Sequence, residues 1–245
     1  MFNLLLSESA SLGEVLKEAM FPEKVEFFGL LVNPTLITAV LVSIILLATA
    51  LIIRLFFIPK FKNVPGPFQY FLESLVKFFD KIAKETAEEE SNIVGCYIFT
   101  AALYICFGTL IELLGFRPIM SSINTCVTVA FSTYIMLLYY GIRNKGLVKG
   151  VLNSMKNVTV PISMTFRLYG SILSGFLIME IFYSFIFLKI ALPAVFSVMF
   201  TLFHAFIQSY VFAMLSSLFI GEALEGHKTK KKQQLADFPK AKQHN

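Results

Sequence analysis

Five stretches of the chain are apolar over about 20 residues or more, and polar or charged residues separate them. A hydrocarbon layer of about 30 Å needs roughly 20 helical residues. Continuous apolar runs also lack the alternation of barrel strands, which leaves the helix as the spanning structure. The pattern therefore predicts five transmembrane helices, at approximately Pro34–Ile58, Asn92–Phe116, Ser122–Ile142, Pro161–Leu188 and Ala191–Gly221.

The segment between the first two spans predicts a different kind of helix. Pro65-Gly66-Pro67 interrupts the chain, and from Phe68 to Ile82 the apolar residues then recur every three or four positions. Gln, Glu and Lys occupy the opposite face. This amphipathic pattern is typical of a helix lying on a membrane surface, at about residues 66–90.

The positions of Lys and Arg predict the orientation. An odd number of spans puts the two termini on opposite sides, and 16 of the 21 cations fall on one side, which the positive-inside rule makes cytoplasmic. We expect the N-terminus outside and the C-terminus inside. The expected organisation is an outer segment (1–33), a membrane domain (34–226) and a basic cytoplasmic tail (227–245), the tail being disordered or attracted to anionic headgroups.

The last two spans are longer than a bilayer needs. Pro161–Leu188 measures about 42 Å as a helix, so a tilt near 45° is required to fit it into about 30 Å of hydrocarbon. The predicted fold class is thus an all-α integral membrane protein whose last two helices are long, steeply tilted and packed as a pair.

Composition agrees with a membrane location and excludes several functions. Hydrophobic residues make up 56% of the chain and charged residues 15%, with a mean hydropathy of +0.72. The net charge of +5 does not indicate nucleic-acid binding, because the cations cluster at the ends of apolar runs. Cys96, Cys106 and Cys126 lack CxxC spacing, so neither a disulfide framework, a metal site nor a cofactor is predicted.

Arg167 is the candidate functional residue, because it lies inside the fourth apolar stretch. A guanidinium is always protonated, and one at the centre of a membrane helix costs about 2.5–3.5 kcal/mol on insertion scales. Intramembrane cations line ion paths or meet counter-ions. We therefore predict ion transport, and a structural salt bridge is the alternative.

Other polar groups lie at helical spacing within the spans, where they can line two aqueous clefts that approach Arg167 from opposite sides. Helical periodicity places small residues on the face of Arg167 and forms further stripes in the third and fifth spans. The candidates are Gly170, Ser171 and Ser174 beside Arg167, Asn124, Thr128 and Ser132 in the third span, Thr201, His204, Gln208 and Glu222 in the fifth, and the carboxylates Glu112 and Glu180. Gln208 is expected to hydrogen-bond a neighbouring helix or the guanidinium.

Two segments resemble one known family. FRLYGSILSG, which contains Arg167, and FHAFIQSYVFAMLSSLFIGEA, which contains Gln208, are similar to the ion path of F-type ATP synthase subunit a. PGPFQYFLE, SSINTCVTVAF and YGIRNKG are weaker matches. The resemblance covers most of the chain after about Asn33.

The resemblance implies a non-catalytic stator, either proton- or sodium-conducting, in the cell's inner membrane. Its partners would be a ring of c-subunits, whose carboxylates face Arg167, the b-subunit stalk and membrane lipids, with no bound nucleotide. Gln208 and Asn124 match the family's glutamine and asparagine. Where members carry other residues, often acidic ones, this chain has Tyr169, Ser171, Phe176, Thr201 and Ser122. Glu112, Glu180 and His204 are candidates for replacing the missing acidic groups.

Two other functions remain open from the residues alone. A self-contained channel or carrier would use Arg167 for selectivity, and a membrane scaffold would use it in a structural salt bridge. A nucleotide site is not indicated. The stretch GEALEGHKT has His227 between glycine and lysine, and an apolar helix precedes it where a P-loop has a strand.

Overall fold

A computed structural model describes residues 25–27, 30–61, 65–86, 91–146, 150, 157–184 and 192–237. All five predicted spans are helices long and apolar enough to cross a membrane, so the all-α membrane fold is confirmed. The helix on the chain segment between the first two spans is also present. Its location at the inner membrane surface, and the tilt of the last two helices, stay predictions.

The first span follows a short hairpin that the sequence pattern did not predict. Strands β1 (Val25–Phe27) and β2 (Leu30–Val32) pair antiparallel, with Val25 opposite Val32. Helix α1 (Pro34–Ile52) follows. Its N-cap residue is Asn33, whose side-chain oxygen accepts a hydrogen bond of 3.1 Å from the backbone N–H of Thr35. The helical path continues through a π turn (Ile53–Phe57) and a 3-10 turn (Ile58–Lys60).

Helix α2 (Pro67–Thr86) is the predicted amphipathic helix. Phe79 and Ala83 are buried against the rest of the protein, whereas Phe71 and Phe78 on the flank of the apolar face are exposed. The Glu73 carboxylate on the polar face accepts hydrogen bonds from Gln69 (2.9 Å) and Lys77 (3.4 Å). These two donors, the Gln69 amide first, hold the pKa of Glu73 below its usual value.

Helices α3 (Ser91–Leu110) and α4 (Ile123–Lys145) are joined by a turn that re-enters the core. A 3-10 turn (Ile111–Leu114) extends α3 and ends at Gly115, which adopts the left-handed conformation with φ 82°. The following 3-10 turn, Ile119–Ser121, is buried and contacts α1, α3, α4 and the next span. The turn packs against elements well outside its own hairpin.

Helices α5 (Thr159–Ser184) and α6 (Leu192–Asp237) are the long pair. Their 26 and 46 residues correspond to about 39 and 69 Å at 1.5 Å per residue. The expected disorder of the basic tail is wrong for residues up to Asp237, which belong to α6. No Pro or Gly lies between Gly226 and Pro239, and Lys, Gln, Ala and Leu are good helix formers.

A row of buried and half-buried hydroxyls joins the helices at one end of the bundle. The Tyr97 hydroxyl lies 2.8 Å from both Ser132 and Thr133, and Thr133 lies 3.3 Å from Ser216 on α6. Ser217 beside it contacts the hydroxyl of Thr86 and donates to the carbonyl of Ile82. Such bonds supply attraction between helices that apolar side chains in lipid do not. We call these residues the hydroxyl seam.

Close backbone contacts accompany the hydroxyl seam. A Cβ on Gly221 of α6 would lie 2.7 Å from the carbonyl oxygen of Thr86, the last residue of α2. That atom belongs to the backbone, so neither helix can yield locally. Glycine at this position is therefore a condition for seating α2 against α6.

We predict that Gly221→Ala lowers the stability of the purified chain by about 1–3 kcal/mol, because the methyl group forces the two backbones apart. Gly170→Ala on α5 is the matched control, since a Cβ there has nothing within 4 Å. Its effect is expected to be neutral or stabilising. Thermal unfolding in detergent measures both, and equal effects of the two variants would contradict the contact.

Candidate functional site

Arg167 lies on the exposed side of α5, about 12 Å from the helix start at Thr159. Its exposed neighbours are Phe166 (66%), Gly170 and Ser174. Among the described residues Arg167 forms no ion pair and no hydrogen bond. The structure therefore places a permanent charge on the lateral surface of the helix, between apolar and small residues.

The small residues near Arg167 separate into two sets. Gly170 and Ser174 share its exposed face, and the Cβ position of Gly170 opens onto empty space. Ser171 is half-buried and donates to the carbonyl of Leu168 at 2.9 Å. Gly175 is buried and lies against Phe200 of α6. The exposed strip beside the guanidinium is therefore smooth, and it consists of Gly170 and Ser174 without Ser171.

Gln208 is buried on α6, with 7% of its surface exposed. Its side-chain nitrogen has no hydrogen-bond partner in the described part of the chain. Within the described residues, this nitrogen therefore makes no bond to a neighbouring helix, and a bond to Arg167 would use the amide oxygen, because a guanidinium only donates. A buried amide donor without a partner costs about 1–3 kcal/mol, so Gln208 retains unused capacity to bind a polar group.

One cleft collects three of the polar candidates. Glu112 from the end of α3 and Thr201 and His204 from α6 line it together, and the Thr201 hydroxyl is close enough to hydrogen-bond the Glu112 carboxylate. The remaining lining residues are Ile172, Gly175, Phe176, Met179, Ser197 and Phe200. The cleft lies at the end of the bundle where α3 ends and α6 begins.

The contact between Gly175 and Phe200 relates this cleft to Arg167. Eight residues back along α5 from Gly175 lies Arg167, and eight residues forward along α6 from Phe200 lies Gln208. Each distance is about 12 Å along its helix. Since α5 and α6 follow one another through a short connection, both polar residues lie on the same side of the contact, further into the bundle.

Other predicted residues lie apart from this cleft. Asn124 and Thr128 are exposed on α4, whereas Ser132 bonds Tyr97, so their predicted common stripe is divided between two environments. Residues four positions apart are rotated relative to each other around the helix axis, so the first and the last of the three side chains face different surroundings. Glu222 is exposed on α6. Glu180 lies on α5, about 140° around the helix from Arg167, and its side chain falls outside the described part.

Sequence reasoning missed Phe200 and Ser197 as lining residues. Phe200 precedes His204 by four positions, which puts both on one face of α6, but an aromatic residue among many in an apolar span carries no signal of its own. In the described part of the chain, no three His, Cys, Asp or Glu side chains come together as a metal site.

We predict that the cleft admits water. In a chain whose three native cysteines are replaced by alanine, Ser197→Cys is expected to react at least about 10-fold faster with a charged thiosulfonate reagent than Val198→Cys, because thiolate forms in water and not in hydrocarbon. Val198 has the same depth on α6 and is 47% exposed, yet does not line the cleft. Equal rates would show that the cleft is dry.

The sequence is similar to proteins of one family. The profile described as "ATP synthase A chain" matches residues 37–221, which is more than half of the chain and includes Arg167, Gln208 and the cleft. The protein "ATP synthase subunit a 1" of Syntrophotalea carbinolica is 28% identical over 219 residues, which cover 83% of this chain and 90% of that relative. The chain therefore belongs to the ATP synthase subunit a family, the ion-translocating stator component of the enzyme's membrane sector.

Proposed function

We propose that this chain is the stator of a rotary F-type ATP synthase, in which Arg167 faces the carboxylates of a rotating c-subunit ring. The observation that supports this most directly is the exposure of Arg167 on the side of α5 without a carboxylate partner among the described residues. A guanidinium in lipid requires a counter-ion. A passing ring carboxylate supplies one.

The surface around Arg167 suits a sliding contact. Gly170 has no neighbouring atom at its Cβ position, and Ser174 satisfies its own hydroxyl by donating to the carbonyl of Ser171 at 2.7 Å. Neither residue projects a bulky or unpaired group. A helix of the ring can therefore approach the backbone of α5 closely and move past it, as small residues allow in membranes.

Arg167 would release the ion from each carboxylate that reaches it. At 4 Å the two charges attract by about 4 kcal/mol at an effective dielectric of 20, which favours the ionised carboxylate over the ion-loaded one. The bare carboxylate then has to reload before it enters lipid. The same fixed cation blocks a cation from crossing directly between the two sides.

The cleft of Glu112, Thr201 and His204 would supply one half of the ion path. With the N-terminus outside, the end of α3 and the start of α6 face the outer side, so this cleft opens outward and leads toward Gln208 and Arg167. Asn124, Ser171, Glu180 and Glu222 are further candidates for the path. The second half stays a prediction.

The assembly follows from this role. The c-ring packs against the exposed side of α5, the b-subunit stalk holds the stator against rotation, and lipids of the cell's inner membrane surround the rest. The chain itself is not a catalyst and binds no nucleotide. Each unit charge that crosses supplies about 2.3 kcal/mol per 100 mV, which drives the ring. Proton and sodium enzymes both fit, because the ring provides the ion ligands.

We predict that Arg167→Lys lowers ATP-driven ion pumping by the assembled complex on the order of 100-fold, a size typical of losing one preorganised charge. Lysine keeps a charge, but it lacks the planar fork and loses its proton readily when desolvated. Pumping is measured in vesicles, and assembly by co-purification of the c-ring.

Arg54→Ala, at the exposed inner end of the first span, is the matched arginine control and is expected to pump normally. Arg167→Ala separates the alternatives. An assembled complex without pumping supports the stator, loss of the folded chain supports a scaffold, and ion flux through the purified chain alone supports a channel. Near-normal ATP synthesis by Arg167→Lys would refute the role of this residue.

We predict a milder loss, about 10-fold, for Gln208→Leu. Leucine fills the buried site but removes an amide donor that the ring carboxylate or a water can use, and one hydrogen bond to a charged group contributes about 1.5–3 kcal/mol. Ser209→Ala is the control, because this buried neighbour donates to the carbonyl of Phe206 within its own helix and lines no part of the cleft. Unchanged pumping by Gln208→Leu would remove Gln208 from the path.

A further inference from the structure

Phe200 holds a defined place between α5 and the imidazole of His204. Its ring lies parallel to the His204 ring, with an interplanar angle of 8° and a centroid separation of 5.9 Å. Parallel rings at this separation are offset-stacked, a favoured arrangement of aromatic pairs. Because the two residues are four positions apart on α6, the helix itself presents them side by side.

One edge of the Phe200 ring lies against α5 in the space where any residue other than glycine would place its Cβ. A Cβ at position 175 would lie 2.5 Å from Cε1 of Phe200, 3.2 Å from Cζ and 3.4 Å from Cδ1. No side chain fits at position 175 while the ring stays where it is. Glycine inside a helix costs about 1 kcal/mol relative to alanine, and the contact with Phe200 offsets that cost.

The ring is thus enclosed by the backbone of α5 on one edge and by an imidazole on one face. Both aromatic residues line the cleft that holds Glu112 and Thr201. A His side chain with two free torsions would otherwise sample several orientations in an open cleft, and contact with a fixed ring removes that freedom.

We infer that Phe200, seated against Gly175, is a positioning residue that fixes the orientation of the His204 imidazole in the ion-entry cleft, which Glu112 and Thr201 also line. The inference rests on the proposed function, since it concerns the ion path of the stator. Phe200 and Gly175 are both apolar, and neither residue type by itself indicates a role in positioning an imidazole. Phe200 does not touch the ion; it acts through His204.

The test is a double-mutant cycle in the complete ATP synthase, with ion pumping measured in vesicles. Losing a stacked pair of this kind changes the fraction of correctly placed imidazole by roughly 3- to 10-fold. Phe200→Leu should therefore slow pumping by about that factor in the wild-type background, and Phe200→Tyr, which keeps the ring, should restore it. In the His204→Ala background, Phe200→Leu should have no further effect.

Phe107→Leu is the matched control, an exposed phenylalanine on α3 that does not line the cleft. It should pump normally. If the Phe200→Leu complex does not assemble, Gly175→Ala completes the same cycle, since it displaces the ring without removing it. Its effect should likewise vanish in the His204→Ala background.

The inference is overturned if Phe200→Leu slows pumping equally with and without His204, because the ring then acts as packing alone. It is also overturned if Phe200→Leu or His204→Ala leaves pumping unchanged. These outcomes leave the stator role intact as long as Arg167→Lys lowers pumping on the order of 100-fold. Failure of the stator role itself would appear only in the Arg167 variants.

Discussion

A permanent positive charge on the outside of a membrane helix is the constraint on which the rest of the molecule depends. Arg167 cannot lose its proton, and no described carboxylate of this chain pairs with it. The isolated subunit is therefore electrostatically incomplete on one face. The proposed stator role supplies what is missing, a partner with acidic groups at the same depth in the membrane.

The packing of the helices divides the molecule into a fixed side and an open side. The hydroxyl seam and the contact of Gly221 with Thr86 hold α2, α4 and α6 together, and these interactions are directional. Apolar side chains alone would not supply such attraction, because lipid solvates them equally well. Among the described residues, the exposed face of α5 has none of these bonds between helices, and the proposed stator role assigns the contact with the ring to this face.

The spans and Arg167 were predictable because each rests on a local rule. Five long apolar runs predict five helices, and one charge inside such a run is conspicuous without a structure. The cleft was less accessible to sequence reasoning, since Glu112 comes from the end of α3 and Thr201 and His204 from α6, and a periodic pattern does not fix how two helices are rotated relative to each other. The same reason explains why Asn124 and Ser132 differ in environment. The hairpin and the extension of α6 to Asp237 arise from local propensity, which a hydropathy pattern does not weigh.

The buried turn between α3 and α4 has a consequence for biosynthesis. Ile119 and Met120 are 0% and 1% exposed, and part of what covers them is α5, which the ribosome makes later. Helices α3 and α4 can therefore enter the bilayer as a pair, but they cannot by themselves bury the turn that joins them. Maturation has to wait for the C-terminal half, so a chain truncated before α5 should be a substrate for quality-control proteases.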